Sequence, residues 1–309
     1  MEVGLEMRDW EILLAVSQTA PTLGDVERNL EQHLKHAEYA LEAGAGLLVF
    51  PELSLTGYTL KDLTADVAQR AGDSVVLDKL ARASRKLPMI VGFVEEGDDF
   101  VYYNSAAYFE GGALRGLHRK VYLPTYGMFE EERYFSPGST FRAFDSVAGR
   151  AAILICEDYW HPSSVYLAAQ DGALIHFYLS NAPLRGMTLP DEITSADIAE
   201  RMAVVSSQLY GVYTVYANRV GYEDGVAFAG RSCVVGPTGD VVARADHREE
   251  ELLLAEIEPE QVRRARVFFP LLGDEKLDLV HRELTRIRAR RFDLEEEGDK
   301  EGEGGDDAE

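Results

Sequence analysis

A chain of 309 residues, 46 % of them hydrophobic, can bury a sizeable core, and large two-sheet layered domains reach this length. Its formal charge of −23 argues against a nucleic-acid partner, because phosphate contacts need clustered Lys and Arg. Two cysteines are too few for a disulfide framework, seven scattered histidines show no zinc-ligand spacing, and no apolar run approaches the roughly 20 residues of a membrane helix.

The opening segment, Met1 to Glu11, is short and mixed in charge and lacks the basic and apolar regions of a signal peptide. A cytoplasmic protein with no metal and no membrane partner is expected. Ile12 to Val16 is a short apolar run, and Thr22-Leu23-Gly24-Asp25 offers a turn and an N-cap. From Val26 to Ala43 the positions Val26, Leu30, Leu34, Ala37 and Leu41 recur at helical spacing, and Gly44 and Gly46 end the helix. Strands are predicted at Leu47 to Phe50 and Met89 to Glu95, with a helix at about Ser74 to Leu87 between them.

The middle of the chain reads as sheet. Val101 to Glu110 and Ala113 to His118 flank Gly111-Gly112, which predicts a hairpin with a primed turn. Helices are expected over Ser164 to Gln170 and Ser195 to Leu209. Val212 to Asn218, Val226 to Val235, Val241 to Arg244 and Leu252 to Ile257 read as further strands. Hairpin-paired strands with helices between them point to two mixed sheets covered by outer helix layers. Residues 1–272 are expected to form one domain. Residues 273–292 form a helical extension, with Leu277, Val280, Leu284 and Ile287 on one stripe. Residues 293–309, almost all Glu, Asp and Gly, have nothing apolar to bury and are expected to be a disordered tail.

Three residues sit in recognisable local frames. Glu52 follows Gly46-Leu47-Leu48-Val49-Phe50-Pro51, Lys120 closes Leu117-His118-Arg119-Lys120, and Cys156 ends Ala151-Ala152-Ile153-Leu154-Ile155. Singly, each has a bland reading as core filler, loop acid or surface amine. Together they supply a nucleophile, its base and an oxyanion stabiliser. Cysteine attacks only as thiolate, so a carboxylate raised in pKa by an apolar setting must take its proton. Attack on an amide carbonyl creates an oxyanion that Lys120 and the backbone N–H of Glu157 can stabilise. That chemistry is hydrolysis of a carbon–nitrogen bond.

The chain resembles the nitrilase, or carbon–nitrogen hydrolase, superfamily over roughly residues 11 to 272. Phe50-Pro51-Glu52-Leu53-Ser54-Leu55-Thr56-Gly57-Tyr58 looks like its base motif, His118-Arg119-Lys120-Val121-Tyr122-Leu123-Pro124 its lysine motif, and Leu154-Ile155-Cys156-Glu157-Asp158 its nucleophile motif. The resemblance implies an α-β-β-α sandwich, a Glu52–Lys120–Cys156 triad, no cofactor, and subunits paired through the sheet layers as a homodimer or higher oligomer. It also implies a second glutamate before an aromatic pair. In Phe129-Glu130-Glu131-Glu132-Arg133-Tyr134-Phe135, counting back from Tyr134-Phe135 selects Glu131, expected to hold Lys120 charged.

Within the superfamily, Leu123 to Gly138 and Cys156-Glu157-Asp158-Tyr159-Trp160 look most like the glutaminase domains of glutamine-dependent NAD synthetases. No Ser-Gly-Gly nucleotide loop is present, so synthesis of NAD by this chain alone is not expected. Where those domains carry a Ser-Pro pair and a more distant arginine, this chain has Ala182-Pro183-Leu184-Arg185. Pro270 to Lys276 looks like the corresponding segment of stand-alone amidases. The expected activity is hydrolysis of a small carboxamide with release of ammonia. The expected pocket is lined by Tyr58, Tyr126, Phe129 and Trp160, with Glu157 at the oxyanion and Arg185 facing a substrate carboxylate. The alternatives are a glutaminase subunit serving a separate synthetase, and an inactive binding or scaffold protein.

Overall fold

A computed structural model describes residues 11–184 and 195–292. The acidic tail lies outside the described residues. The chain divides into a unit of residues 1–272 and a second unit, residues 273–309.

Strand β1 (Ile12–Gln18) leads to helix α1 (Val26–Glu42), where the Asp25 side chain caps the Arg28 N–H at 3.1 Å. Val26, Leu30, Ala37 and Ala40 make its buried face, while Leu41 is exposed. Strand β2 (Leu47–Val49) is followed by a short turn of helix α2 (Thr64–Val67) and by α3 (Val75–Ala83), capped by Ser74. Strands β3 (Met89–Glu96), β4 (Tyr102–Glu110) and β5 (Ala113–Arg119) form an antiparallel meander. Gly111 and Gly112, both with positive φ (61° and 88°), turn its second hairpin as a primed turn requires.

After α4 (Glu131–Tyr134) come β6 (Phe144–Ser146), β7 (Gly149–Ile155), α5 (Glu157–Trp160), α6 (Pro162–Gln170), β8 (Ile175–Ser180), α7 (Ser195–Tyr210) and β9 (Tyr213–Asn218). The rest of the unit is β10 (Val220–Glu223), β11 (Val226–Ala229), β12 (Cys233–Val235), β13 (Val241–Arg244), β14 (Glu251–Ile257) and α8 (Pro259–Phe268). The first sheet has the order β14-β1-β2-β3-β4-β5 and the second β13-β12-β9-β8-β7-β6.

Alternation along the strands builds the layers. Leu14, Val16, Leu47 and Ile90 from one sheet pack with Ile153, Ile155, Phe177 and Val215 from the other as a shared core. The opposite faces are covered by helices: Ala15, Leu48 and Val91 meet Leu30, Ala37, Leu77 and Leu80, while Leu154 and Tyr178 meet Val165, Ala168, Ala199 and Ala203. The result is the four-layer α-β-β-α sandwich.

Two sequence readings need correction. Val226 to Val235 is not one strand: Gly230 and Arg231 take positive φ (57° and 62°) and break it. Strand β11 pairs with β10 in a separate ribbon, whereas β12 joins the second sheet. Strand β8 escaped the sequence reading because all six of its residues are buried, so it shows no alternation. In the second unit, helix α9 (Leu277–Phe292) follows the periodicity of its sequence, with Leu277, Leu284 and Ile287 exposed.

Candidate active site

Glu52, Lys120 and Cys156 lie just past the ends of β2, β5 and β7. Glu52 is fully buried in the turn after β2. That turn folds tightly over β3, where a Cβ on Gly92 would stand 2.5 Å from both Leu53 N and Pro51 O. Only glycine lets the two backbones approach this closely. The Glu52 carbonyl accepts the Asn181 Nδ2–H (2.9 Å), which joins the turn to the chain after β8 in the other sheet.

Lys120 is also fully buried. Its N–H donates to Asn104 O (2.8 Å) on β4, and its carbonyl accepts the Gly138 N–H (2.7 Å). Its ammonium donates to Glu52 Oε1 (2.8 Å) and Glu131 Oε1 (2.7 Å). Of the three neighbouring glutamates, Glu131 is the buried one, whereas Glu130 and Glu132 face solvent. The Tyr58 hydroxyl donates to Glu131 Oε1 at 2.6 Å. Burial works against the Lys120 charge, but Glu131 and Glu52 outweigh it and hold the ammonium well above its ordinary pKa. Burial pushes the Glu131 carboxyl up to about 7, with Lys120 pulling it down and Glu52 adding to the rise.

Cys156 is half-buried, at φ 47° and ψ −107°, a backbone conformation that L-residues seldom adopt. Its N–H donates to Leu179 O (2.8 Å), and the Ser180 hydroxyl donates to Sγ at 3.7 Å. Asp158, two residues on, is fully buried. Its Oδ1 accepts the N–H groups of Val121 (2.9 Å) and Tyr122 (3.0 Å), and its Oδ2 accepts Ile155 N–H (3.0 Å) and bonds His118 Nε2 (2.8 Å). One carboxylate thus ties the residue before Cys156 to the two residues after Lys120. Burial raises the Cys156 thiol well above its ordinary pKa, Glu52 adds to the rise and Lys120 opposes it. The resting thiol keeps its proton, so chemistry at Sγ requires a base nearby.

The aromatic residues divide. Tyr58, Phe129 and Tyr126 pack edge to face, with ring centroids 6.3 Å and 5.6 Å apart. The Tyr126 hydroxyl donates to Glu157 Oε2 at 2.8 Å. Trp160 instead packs on the outer-layer cluster beside Tyr159. Arg185 lies outside the described residues. An open cavity is lined by Tyr58, Leu60, Met128, Glu131, Tyr134 and Phe135, so it shares two residues with the Lys120 cluster but does not reach Cys156.

Several contributors escaped the sequence reading. Asn104, Ser180 and Asn181 sit inside or beside strands and carry no motif signal, and Asp158, though it lies in the nucleophile motif, had no role assigned to it. A buried pair, Arg219 and Glu223, fixes the Tyr58 loop: Glu223 Oε1 accepts the N–H groups of Tyr58 (2.9 Å) and Thr59 (2.6 Å), and its Oε2 meets Arg219 Nη1. Only the return of the β10–β11 ribbon makes that contact.

The sequence profile of the carbon–nitrogen hydrolase family matches residues 13–267. The chain is 32 % identical over 249 residues to a glutamine-dependent NAD(+) synthetase of Thermotoga maritima, covering 79 % of this chain and 42 % of the relative. It thus spans under half the length of that protein. It is 30 % identical over 260 residues to a nitrilase of Pyrococcus abyssi, covering 83 % of this chain and 93 % of the relative. The crystal structure of a carbon–nitrogen hydrolase from Helicobacter pylori superposes with a TM-score of 0.78 at 27 % identity, over 89 % of this chain and 98 % of that one.

Proposed function

We propose that this chain, which belongs to the carbon–nitrogen hydrolase family, is an amidohydrolase that cleaves a small carboxamide through a thioester on Cys156. The observation that carries this reading is the buried Glu52–Lys120–Glu131 cluster beside a half-buried thiol on a strained turn.

Glu52 takes the Cys156 proton as Sγ attacks the carbonyl carbon. The tetrahedral oxyanion is met by the Lys120 ammonium and the Glu157 N–H. Glu52 then protonates the leaving amine, the C–N bond breaks and ammonia departs. In the second half Glu52 deprotonates water, which attacks the thioester, and Sγ leaves with the proton returned. Glu131 keeps Lys120 charged throughout.

The amide is favoured over the nitrile by the acceptors left over. Among the described residues, Glu52 Oε2 and Glu131 Oε2 are both buried without a hydrogen-bond partner. A carboxamide brings N–H donors to such oxygens and a nitrile brings none, and an unpaired buried acceptor costs about 1–3 kcal/mol. The resemblance to the synthetase supports a second reading, in which the amide is glutamine and the ammonia serves a separate synthetase.

Steady-state ammonia release from matched amide and nitrile pairs, with glutamine alongside, separates these readings. The amides should turn over at least about fivefold faster than their nitriles, the low end of the cost of one unpaired acceptor, and free glutamine should be poor. Faster nitrile turnover would overturn the amidase reading. Efficient use of glutamine alone would select the glutaminase.

A further inference from the structure

We propose that Asn104 is a positioning residue that gives the two oxygens of Glu52 separate tasks, holding Oε1 with Lys120 so that Oε2 alone exchanges the proton with Cys156. The proposal rests on the reading of Glu52 as the base.

Asn104 lies in β4, almost wholly buried, and its Nδ2–H donates to Glu52 Oε1 at 2.7 Å. The same oxygen accepts from Lys120 Nζ. Two donors on one carboxylate oxygen fix the plane and rotation of the group. Glu52 Oε2 has no hydrogen-bond partner among the described residues. The amide orientation of Asn104 is set by the same contact, since a flip would bring Oδ1 against a carboxylate. Asn104 reaches the second partner too, because its backbone carbonyl accepts the Lys120 N–H at 2.8 Å. One residue therefore holds the carboxylate of Glu52 and the backbone of Lys120. Its own Oδ1 is buried and has no partner among the described residues, so the bond to Glu52 is the one side-chain hydrogen bond they give it.

The ionisable groups around Glu52 are Lys120 from the end of β5, Glu131 from α4, Tyr58 from the loop after β2 and Cys156 after β7. Tyr58 stays a neutral donor because burial holds its phenol well above the ordinary value. A hydrogen bond donated to a carboxylate favours its charged form, so loss of the Asn104 donor should displace the pH profile of Cys156 alkylation to higher pH.

The test is the pH dependence of Cys156 alkylation by iodoacetamide, which needs no substrate. In that reaction the S–C bond forms, the C–I bond breaks with iodide leaving, and the thiol proton passes to Glu52. Mass spectrometry confines the reading to Cys156, since Cys233 is buried in β12. In Asn104→Ser and Asn104→Asp, each first shown folded by circular dichroism, the acid limb of the alkylation rate should move up by about one pH unit. Below the limb that is about a tenfold slower reaction. The aspartate, a second carboxylate beside Glu52, should move it further than the serine. Glu131 is pushed up to about 7, so the limb is recorded again in Glu131→Gln, where the Asn104 shift must persist. If Asn104→Asp does not fold, Asn104→Ser carries the reading alone. A limb unmoved within about 0.3 pH units overturns the proposal, as does a shift that vanishes in Glu131→Gln or a uniform slowing at every pH, which marks a merely structural role. Absence of ammonia release from every amide would overturn the amidase reading and leave this result intact.

Discussion

Cys156→Ala is expected to hold amide hydrolysis below about one-hundredth of the wild-type rate while leaving the melting temperature nearly unchanged. The substitution removes one sulfur at the end of β7 and one long contact, the 3.7 Å bond from Ser180. Ser180 keeps its bond from the Tyr159 hydroxyl (3.2 Å), and the Asp158 bonds that shape the turn do not involve the thiol. Alanine meets the positive φ of this position no more easily than cysteine does, so the strain carries over unchanged. Activity and fold are therefore separable here. Ammonia release and thermal melts on the same preparation read both. Activity above the hundredth part would mean that Sγ is not the nucleophile. The second cysteine gives a control: Cys233 is fully buried in β12, so a Cys233→Ala enzyme should remain fully sensitive to alkylation.

Lys120→Met should cost about 2.7–4 kcal/mol of transition-state stabilisation, the size of one lost oxyanion donor, or about 100- to 1,000-fold in kcat/KM. The loss has two sources. The oxyanion loses its cation, and two buried carboxylates, Glu52 and Glu131, lose the charge that both bind. Without it the Glu131 carboxyl, already raised by burial, loses the partner that pulls it down, and Glu52 loses a donor on Oε1. Lys120→Arg should not rescue the enzyme. The ammonium is fully buried between two carboxylate oxygens at 2.8 and 2.7 Å, and a planar guanidinium cannot occupy that point. An arginine variant within about tenfold of wild type in kcat/KM would contradict a point-charge role for the lysine.

How much of this was legible in the chain differs from element to element. Helix α1 and the β4–β5 hairpin announce themselves because local chemistry decides them: Asp25 caps the helix and Gly111-Gly112 turns the hairpin. The frames of Glu52 and Cys156 are visible because a polar residue at the end of an apolar run is a local signal as well, and that of Lys120 through the motif around it. Glu131 could be counted back from Tyr134-Phe135 only through the family resemblance. The partners of these residues could not. Asn104 lies inside a strand, and its part depends on β4 pairing with β5 and on the Glu52 turn crossing Gly92. Asp158 lies in the nucleophile motif, but its part is seen only where four donors from two chain segments converge on it. Strand β8 was hidden by its complete burial, and the break at Gly230-Arg231 by the apolar residues on both sides. Short-range pattern placed the candidate reactive side chains, and long-range pairing placed the residues packed around them.

The thioester is tested most directly by partitioning. The primary amide, the N-methyl amide and the ethyl ester of one acid are hydrolysed in the presence of hydroxylamine, and the ratio of free acid to hydroxamate is measured for each. If all three acylate Cys156, water and hydroxylamine compete for the same intermediate, and the ratio is the same whatever the leaving group. A ratio that changes with the leaving group would mean that no common acyl-enzyme forms, and the covalent mechanism would be wrong.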